Sequence, residues 1–342
     1  MLKRKVAING LGRIGRSFLR LALERDEIEI VGINDLAEIE NIAYLLRYDT
    51  AYGRSGIKTE TKEGVLSVNG IAIPYFSEKD PSLLPWKKLG VDLVVESTGF
   101  FATPEKAKVH ITAGAKRVVV SAPFEGHHEL TDGIEDTVLM GINESNLRSC
   151  PITSNASCTT NSASPVMQVL HETLGIEKAI LSTVHAYTAT QKLVDSPDAK
   201  DWRRGRAGAA NIVPSTTGAA IAVTKAIPTL AGKFDGIALR IPLITGSLAD
   251  LTFLARRNTT AEEVNKLLSD AAATERWKDI LAVTTEQLVS SDIIGDTHAS
   301  IVDLSFTKVV GGNLVKVLAW YDNEAGYTYT LLNHVLKSVA YA

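Results

Sequence analysis

Three glycines between a short apolar run and an amphipathic segment constrain the fold of this chain most strongly. Residues 6–8 predict a buried β-strand, and residues 13–24 predict an α-helix whose apolar positions share one face. Gly10, Gly12 and Gly15 lie in the turn between them and fit the pattern G-x-G-x-x-G. Glycines in such a turn let the backbone approach a pyrophosphate, which the helix N-terminus attracts. The turn therefore predicts a dinucleotide-binding unit at the start of the chain.

An acidic residue follows at the spacing that such a unit requires. Asp35 comes twenty residues after Gly15 and directly after a second predicted strand at 29–34. A carboxylate at this position can bind both ribose hydroxyls of NAD and repels a 2′-phosphate. Leu36 supplies no neighbouring cation, so NAD is favoured over NADP, and Arg13 is the arginine expected nearest to the pyrophosphate. The structural alternative is a tight turn with a helix-capping aspartate.

The N-terminal half alternates strand-like and helix-like segments, which is the pattern of a parallel sheet covered by helices. Further strands are predicted at 92–95, 117–120 and 138–140, and a helix is expected to open at Thr103 and to end at Gly114. After Asn161, longer alternating strands favour a mixed or antiparallel sheet. The 342 residues suffice for about two domains. We predict an α/β protein with a doubly wound, parallel-sheet (Rossmann) NAD domain and an α+β second domain.

Composition excludes some classes of partner. The formal net charge of -3 predicts no general attraction to nucleic acid or to an anionic membrane, so any phosphate binding must be local. The basic start of the chain lacks the apolar stretch of an export signal, and every apolar run stops well short of ~18 residues. The two cysteines give no disulfide framework and lack the spacing of a zinc site. We therefore expect no metal and a reducing, cytoplasmic location.

One of these cysteines has the surroundings of a nucleophile. Cys158 lies among small hydroxyl and amide side chains, and His185 ends a predicted strand at 180–184. Only a few per cent of a cysteine with a pKa of about 8.5 is thiolate at pH 7, so a catalytic cysteine needs a base such as histidine. A buried cysteine and a structural histidine are the alternative interpretation, because free cysteine is often buried.

Groups suited to anions surround this pair in the sequence. Arginine recognises phosphate through two parallel hydrogen bonds, and threonine hydroxyls and glycine amides complete a phosphate cradle. The alternative for the arginine cluster at 203–206 is a solvated loop or a subunit contact. The candidates are Thr188, Arg204, Thr217, Gly218 and Arg240.

Several motifs in the same order resemble the phosphorylating glyceraldehyde-3-phosphate dehydrogenases, over nearly the whole chain. They lie at 8–16, 34–35, 45–49, 96–99, 121–123, 154–161, 188–192 and 320–324. The resemblance implies that Cys158 attacks the aldehyde with His185 as base and that hydride passes to NAD. Inorganic phosphate then cleaves the thioester, which converts glyceraldehyde 3-phosphate into 1,3-bisphosphoglycerate in glycolysis or gluconeogenesis.

The resemblance also implies roles for individual residues. Thr188 and Arg240 resemble the holders of the substrate phosphate, and Asn323 resembles the residue that orients the nicotinamide carboxamide. The residues that resemble the site of the attacking phosphate are Ser157, Thr159, Arg204, Thr217 and Gly218. Those that resemble the remaining cofactor contacts are Arg13, Ile14, Asp35, Ser97, Thr98 and Ser121.

The same resemblance implies a domain plan and an assembly. The NAD domain is expected at 1–157, with a C-terminal helix at 324–342 returning to it, and the catalytic domain at 158–323. A homotetramer is implied, with the loop 192–209 near a neighbouring cofactor site. The family also starts a long helix at Cys158, whereas apolar spacing alone would start it nearer Pro165.

Some positions depart from the family pattern and keep alternatives open. Ala325 stands where a tryptophan is usual, and Leu243, Ile244 and Thr245 replace a more usual Thr-Pro-Asn. One alternative is an erythrose-4-phosphate dehydrogenase, which hydrolyses its acyl enzyme and typically lacks the Thr-Gly cradle. Another is an NAD-binding scaffold without turnover. Thr217-Gly218 and the intact Cys158 and His185 favour the phosphorylating enzyme.

Overall fold

The computed structural model describes residues 3–125 and 135–342. Its residues cluster into two compact units, Met1–Ala156 with Thr328–Ala342 and Ser157–Tyr327. Among the helices of the described ranges, none combines the length and apolar character that a membrane span requires.

The first unit contains a nine-stranded sheet within the described residues. Eleven strands occur in this unit: β1 Arg4–Asn9, β2 Ile28–Asn34, β3 Tyr48–Asp49, β4 Gly53–Arg54, β5 Thr59–Lys62, β6 Val65–Val68, β7 Ile71–Phe76, β8 Leu93–Glu96, β9 Arg117–Val120, β10 Glu135–Thr137 and β11 Ile152–Ser154. The order is β10-β11-β9-β8-β1-β2-β7-β6-β5, and β3 pairs with β4 separately. Neighbours are parallel from β10 to β7, whereas β7, β6 and β5 form an antiparallel edge. The predicted parallel α/β sheet is confirmed.

In the described part of the first unit, five α-helices precede the returning C-terminal helix. They are α1 Arg13–Ala22, α2 Ile39–Arg47, α3 Trp86–Leu89, α4 Pro104–Ala107 and α5 Val109–Thr112. Thr103 caps α4 through a hydrogen bond from the Lys106 amide, as predicted. The single helix predicted from Thr103 to Gly114 is wrong, because Lys108 adopts φ -57 and ψ -20, close to 3₁₀ values, and divides it into α4 and α5.

The predicted strand at 138–140 is also wrong. The Val138 amide still donates to the Ser154 carbonyl of β11, but the Leu139 amide donates to the Asn143 side chain, so strand pairing ends before the buried residues 139–140. The strand β10 lies before residues 138–140 in the chain, and β10 pairs with β11 so that Glu135 is opposite Ile152. A buried apolar run is thus not by itself a strand.

The second unit contains a mixed seven-stranded sheet. Its strands are β12 Ile176–Ala186, β13 Val213–Thr216, β14 Phe234–Ile241, β15 Ser247–Ala255, β16 Leu281–Thr284, β17 Ser300–Val310 and β18 Leu314–Tyr321, in the order β13-β14-β12-β15-β18-β17-β16. The β12–β14 and β16–β17 pairs are parallel, and the other pairs are antiparallel. This agrees with the predicted mixed sheet.

The second unit contains three α-helices, and a further α-helix begins in the second unit and ends in the first. They are α6 Cys158–Thr173, α7 Ala219–Ala226 and α8 Ala261–Ala272, followed by α9 Ala325–Ser338. Pro165 lies inside α6, so the start near Pro165 is wrong and the start at Cys158 is correct. In the first unit, the later part of α9 contributes Leu331, Leu332 and Val335 to a core that also contains Phe18 of α1.

Candidate active site

The glycine turn joins β1 to α1 with little room for larger side chains. Gly10 adopts φ +95, a conformation that favours glycine. A Cβ on Gly15 would lie 2.0 Å from the Gly10 carbonyl oxygen, so helix and turn can pack this closely only with glycine there. A Cβ on Gly12 would meet no atom within 4 Å, and this turn therefore opens onto free space.

The residues of this turn fit the diphosphate and ribose of NAD. Gly12 caps α1 without a side-chain acceptor, and the first turn of α1 contains no acidic residue. Its amide groups can therefore bind an anion. The Asp35 carboxylate follows β2 and accepts hydrogen bonds from the Leu11 amide at 2.6 Å and the Ala37 amide at 2.8 Å. These bonds fix a carboxylate beside the turn, where ribose hydroxyls can donate to it.

The Arg13 guanidinium is held by another residue. Its Nη1 lies 2.7 Å from Oδ2 of Asp49, and the guanidinium lies 5.9 Å from the centre of the Tyr52 ring. Ile14 follows it in the first turn of α1. The backbone of both residues thus belongs to the open helix end, whereas the Arg13 side chain is engaged with an acidic residue.

The three hydroxyl residues predicted to line the cofactor lie together beyond the carboxyl ends of β8 and β9. Ser121 Oγ donates to Ser97 Oγ at 3.1 Å. The Thr98 amide and hydroxyl both donate to Oε1 of Glu96, at 2.7 and 2.5 Å. Glu96 is buried and also accepts from Asn9 and His110. This carboxylate, which sequence reasoning did not single out as a site residue, fixes the position of Thr98.

Cys158 and His185 meet in the second unit. Cys158 is the first residue of α6, and Ser157 caps that helix by accepting the Thr160 amide at 3.1 Å. His185 is the next-to-last residue of β12. Cys158 Sγ lies 3.3 Å from His185 Nε2, which is hydrogen-bonding distance for sulfur. The structure therefore brings together the two residues that the sequence predicts as nucleophile and base.

Burial and a nearby cation set the protonation of this pair. Burial raises the pKa of the Cys158 thiol, and the charge of Arg240 opposes that rise. Burial, reinforced by Arg240, lowers the pKa of His185 to about 3. With this pKa the imidazole is neutral at physiological pH, and the positive end of the α6 dipole favours a thiolate. The cation that favours the thiolate is thus Arg240 rather than a protonated His185.

Tyr321 is a site residue that the sequence did not single out. Its hydroxyl lies 3.0 Å from Thr159 Oγ1 and 2.7 Å from Thr183 Oγ1, and its ring centre lies 6.0 Å from that of His185. Burial raises its pKa, so the phenol stays neutral. Thr159 was predicted to hold phosphate, but its buried hydroxyl is directed at Tyr321. The position of Tyr321 in the motif 320–324 was the available signal.

The candidate anion residues occupy several elements of the second unit. Thr188 lies two residues after β12, and Arg240 lies in β14 in register with His185. Gly218 caps α7 without a side-chain acceptor, and Thr217 Oγ1 accepts from the Ala219 amide. Arg204 contributes to a cavity of about 670 Å³ lined also by Trp202 and Thr216.

Of the three arginines in the loop 203–206, Arg204 is the best placed to bind an added anion. Arg203 pairs with Asp201 at 2.9 Å, and Arg206 pairs with Asp195 at 2.8 Å. Within residues 3–125 and 135–342, the Arg204 side chain forms no ion pair. Its charge is therefore available to a ligand.

Asn323 is held by the segment that departs from the family pattern. Its Oδ1 accepts from Ser247 Oγ at 2.9 Å and lies 3.3 Å from Thr245 Oγ1. Thr245 also donates to Asp322, which accepts the amides of Glu324 and Ala325. The substituted Thr245 thus supports the loop around Asn323.

Among the described residues, no group of three or more His, Cys, Asp or Glu side chains lies close enough together to hold a metal ion.

Comparison with known proteins identifies two matching family models. Residues 4–104 match the model described as glyceraldehyde 3-phosphate dehydrogenase, NAD binding domain. Residues 157–323 match the model of the C-terminal domain of the same enzyme. Together the two models cover most of the chain.

Curated proteins are similar over nearly the full length. The chain is 43% identical to glyceraldehyde-3-phosphate dehydrogenase 1 of Kluyveromyces lactis, over 97% of this chain and 98% of that protein. It is 44% identical to glyceraldehyde-3-phosphate dehydrogenase 1 of a Nostoc species, over 99% and 98%. It is 45% identical to glyceraldehyde-3-phosphate dehydrogenase of Shimwellia blattae, over 97% and 99%.

Proposed function

The chain belongs to the glyceraldehyde-3-phosphate dehydrogenase family, and we propose that Cys158 carries the acyl group in its reaction. The protein is an NAD-dependent dehydrogenase that oxidises glyceraldehyde 3-phosphate. The observation that carries the proposal is the 3.3 Å distance between Cys158 Sγ and His185 Nε2 at the start of α6.

The proposed reaction begins with a proton transfer. The neutral His185 accepts the thiol proton at Nε2, and the sulfur attacks the aldehyde carbon to give a hemithioacetal. His185 returns its proton to the aldehyde oxygen, which completes the hemithioacetal, and then takes that hydroxyl proton back as the hydride leaves the carbon. NAD, held by the residues assigned below, would supply the hydride acceptor, and a thioester remains on Cys158. Inorganic phosphate then attacks the thioester carbon, the thiolate leaves, and the product is 1,3-bisphosphoglycerate. Oxidation energy is thus retained in an acyl phosphate.

We assign the cofactor to residues 1–157 with the returning helix 324–342, and catalysis to residues 158–323. The open turn at Gly12, the helix end at Arg13 and Ile14, and Asp35 support diphosphate and ribose binding. Ser97, Thr98 and Ser121 are assigned to the same cofactor. Asn323 would orient the nicotinamide carboxamide, and the hydrogen bonds that hold its Oδ1 support this role.

Asp35 gives the first prediction, which concerns cofactor choice. Replacing Asp35 by asparagine should raise the Kd for NAD roughly 10- to 150-fold, because a hydrogen bond to a charged group contributes about 1.5–3 kcal/mol. Binding of NADP should weaken less or improve, because the repulsion of the 2′-phosphate is removed. Titration of both cofactors measures this, with Glu38→Gln as a control for the loss of a nearby exposed carboxylate. Equal losses for the two cofactors would contradict the assignment.

We assign the anion-binding residues to two phosphate sites. Thr188 and Arg240 would hold the phosphate of glyceraldehyde 3-phosphate. Arg204, Thr217 and Gly218 would hold the attacking phosphate. The open end of α7 supports this assignment, and so does the Arg204 side chain, which forms no ion pair with the residues that the structure describes. Ser157 and Thr159 are assigned to the same phosphate, although Thr159 would first have to release Tyr321.

The second prediction separates phosphorylation from hydrolysis of the acyl enzyme. Without phosphate, NADH formation should stop after about one turnover per subunit, and adding phosphate should restore steady turnover. Stopped-flow absorbance of NADH measures both phases. An unchanged steady rate without phosphate would favour the alternative, an erythrose-4-phosphate-type enzyme whose thioester is hydrolysed.

We also propose a homotetramer in the cytoplasm. Ile180, Ile237 and Phe306 lie on β12, β14 and β17 and leave 52–61% of their surfaces exposed, which favours burial against other subunits. Cys150 and Cys158 are not joined in a disulfide, as expected in a reducing compartment. A monomeric mass in sedimentation would contradict the assembly, and recovery from an oxidising compartment would contradict the location.

A further inference from the structure

Two neighbours make opposite demands on Nδ1 of the catalytic histidine. Arg240 Nη1 lies 2.6 Å from His185 Nδ1, and the Ala186 carbonyl oxygen also lies 2.6 Å from it. A guanidinium only donates hydrogen bonds, and a carbonyl oxygen only accepts them. Nδ1 must therefore carry no proton to accept from Arg240, and must carry one to donate to Ala186.

The position of Arg240 is compatible with the state in which Nδ1 carries no proton. Its Nη1 also lies 3.2 Å from the Ala186 oxygen, so its two hydrogens can serve both Nδ1 and the carbonyl. The proton of the neutral ring then resides on Nε2, which faces Cys158 Sγ. In this tautomer the ring donates to sulfur and cannot accept the thiol proton. The base is held in an inactive tautomer.

We propose that Arg240 selects the tautomer of His185 and that an anion bound by Arg240 switches the ring to its basic form. This inference rests on the proposed role of Arg240 in holding the substrate phosphate. When an anion draws the guanidinium away, Nδ1 takes up a proton from solvent and donates it to the Ala186 oxygen, and Nε2 releases its proton to solvent. The free lone pair of Nε2 then accepts the proton of the Cys158 thiol. The ring carries one proton before and after the switch.

The fold makes this coupling direct. His185 and Arg240 are register partners on the adjacent parallel strands β12 and β14. The other titratable groups near the ring are Cys158 on α6 and the neutral Tyr321 on β18, and the charge of Arg204 acts on Arg240. Within residues 3–125 and 135–342, no carboxylate hydrogen-bonds to the ring to fix its tautomer. Arg240 and the Ala186 carbonyl alone compete for Nδ1.

Alkylation of Cys158 by iodoacetamide tests the switch, with phosphite as a small dianionic probe. Electrostatics alone predicts that phosphite, by neutralising Arg240, raises the pH midpoint of alkylation. The tautomer switch predicts the opposite, because a competent base forms the thiolate at lower pH. A midpoint lowered by one unit would accelerate alkylation about tenfold below the midpoint. A midpoint that phosphite raises or leaves unchanged would overturn the inference.

Matched variants identify the anion site responsible. The phosphite effect should disappear in Arg240→Leu and persist in Arg204→Leu, because Arg204 belongs to the other proposed phosphate site. Phosphite should also accelerate oxidation of unphosphorylated glyceraldehyde by the unmodified enzyme, which tests the switch even if Arg240→Leu fails to fold. Loss of the phosphite effect in Arg204→Leu alone would contradict the inference. If the enzyme oxidises glyceraldehyde 3-phosphate through Cys158 but phosphite has no effect, the tautomer switch is contradicted and the proposed function is not.

Discussion

Replacing Cys158 by alanine is expected to reduce oxidation of glyceraldehyde 3-phosphate roughly 10⁴-fold or more, as loss of the nucleophile does in other enzymes that form covalent intermediates. Without Sγ neither a hemithioacetal nor a thioester can form. NAD binding should change little, because the residues assigned to the diphosphate and ribose lie at Gly10–Gly15 and Asp35. The measurement is initial NADH production at saturating substrates, with the Kd for NAD measured in parallel.

The chain supplies its own control for this experiment. Cys150 is the other cysteine, and it is buried at the end of the segment before β11. Cys150→Ala should retain activity within a few-fold and should still lose it on treatment with iodoacetamide. A Cys158→Ala enzyme with near-normal kcat, or a Cys150→Ala enzyme that is inactive while correctly folded, would contradict the assignment of the nucleophile.

Replacing His185 by asparagine is expected to lower kcat by about 10²–10⁴-fold, the usual contribution of a positioned general base. The loss should appear in kcat more than in KM, because His185 acts on the thiol. Since burial and Arg240 hold the pKa of His185 at about 3, protonation of this ring should not cause an acid limb near neutral pH in kcat/KM for the unmodified enzyme. Steady-state rates between pH 5 and 9 measure both effects.

His171 provides the matched histidine control. It lies near the end of α6 and accepts the Ile176 amide through Nδ1, a contact that asparagine can retain. His171→Asn should therefore leave the pH profile unchanged. A kcat/KM profile for the unmodified enzyme with an acid limb near pH 6.5 that disappears in His185→Asn would show instead that the ring titrates normally, against the low pKa.

Local sequence patterns predicted the elements that carry strong periodic or glycine signals. The strand at 117–120 was correct at both ends, and the helix after the glycine turn starts at Arg13 as expected. Both follow from short-range physics, namely apolar spacing and the conformations open to glycine. The strand predicted at 138–140 is absent because β10 ends at Thr137 and, after one further hydrogen bond from the Val138 amide to Ser154, the Leu139 amide donates to the Asn143 side chain.

The start of α6 shows where periodicity misleads. Apolar spacing favoured a start near Pro165, but the first turns of the helix bury polar side chains through local hydrogen bonds. Ser157 accepts the Thr160 amide, and Ser164 Oγ donates to the Thr160 carbonyl. A hydrophobic pattern cannot detect burial of this kind. The resemblance to the family supplied the correct start at Cys158.

Contacts over long sequence separations were the least predictable part of the candidate site. The pairing of Arg13 with Asp49, the contact between Thr159 and Tyr321, and the Arg240 contact to His185 each depend on the tertiary fold. The residue types of the site were readable from motifs. The partner that holds each side chain could not be predicted, because a single sequence contains no information on distances.

The most direct test of the account is to find the acyl group itself. The enzyme should be mixed with NAD and glyceraldehyde 3-phosphate without phosphate, quenched in acid within the first turnover, digested and analysed by mass spectrometry. We expect a phosphoglyceroyl thioester on the peptide that contains Cys158, at about one per subunit, which disappears when phosphate is added before the quench. NADH formation with no acyl group on Cys158, or an acyl group on another residue, would contradict it.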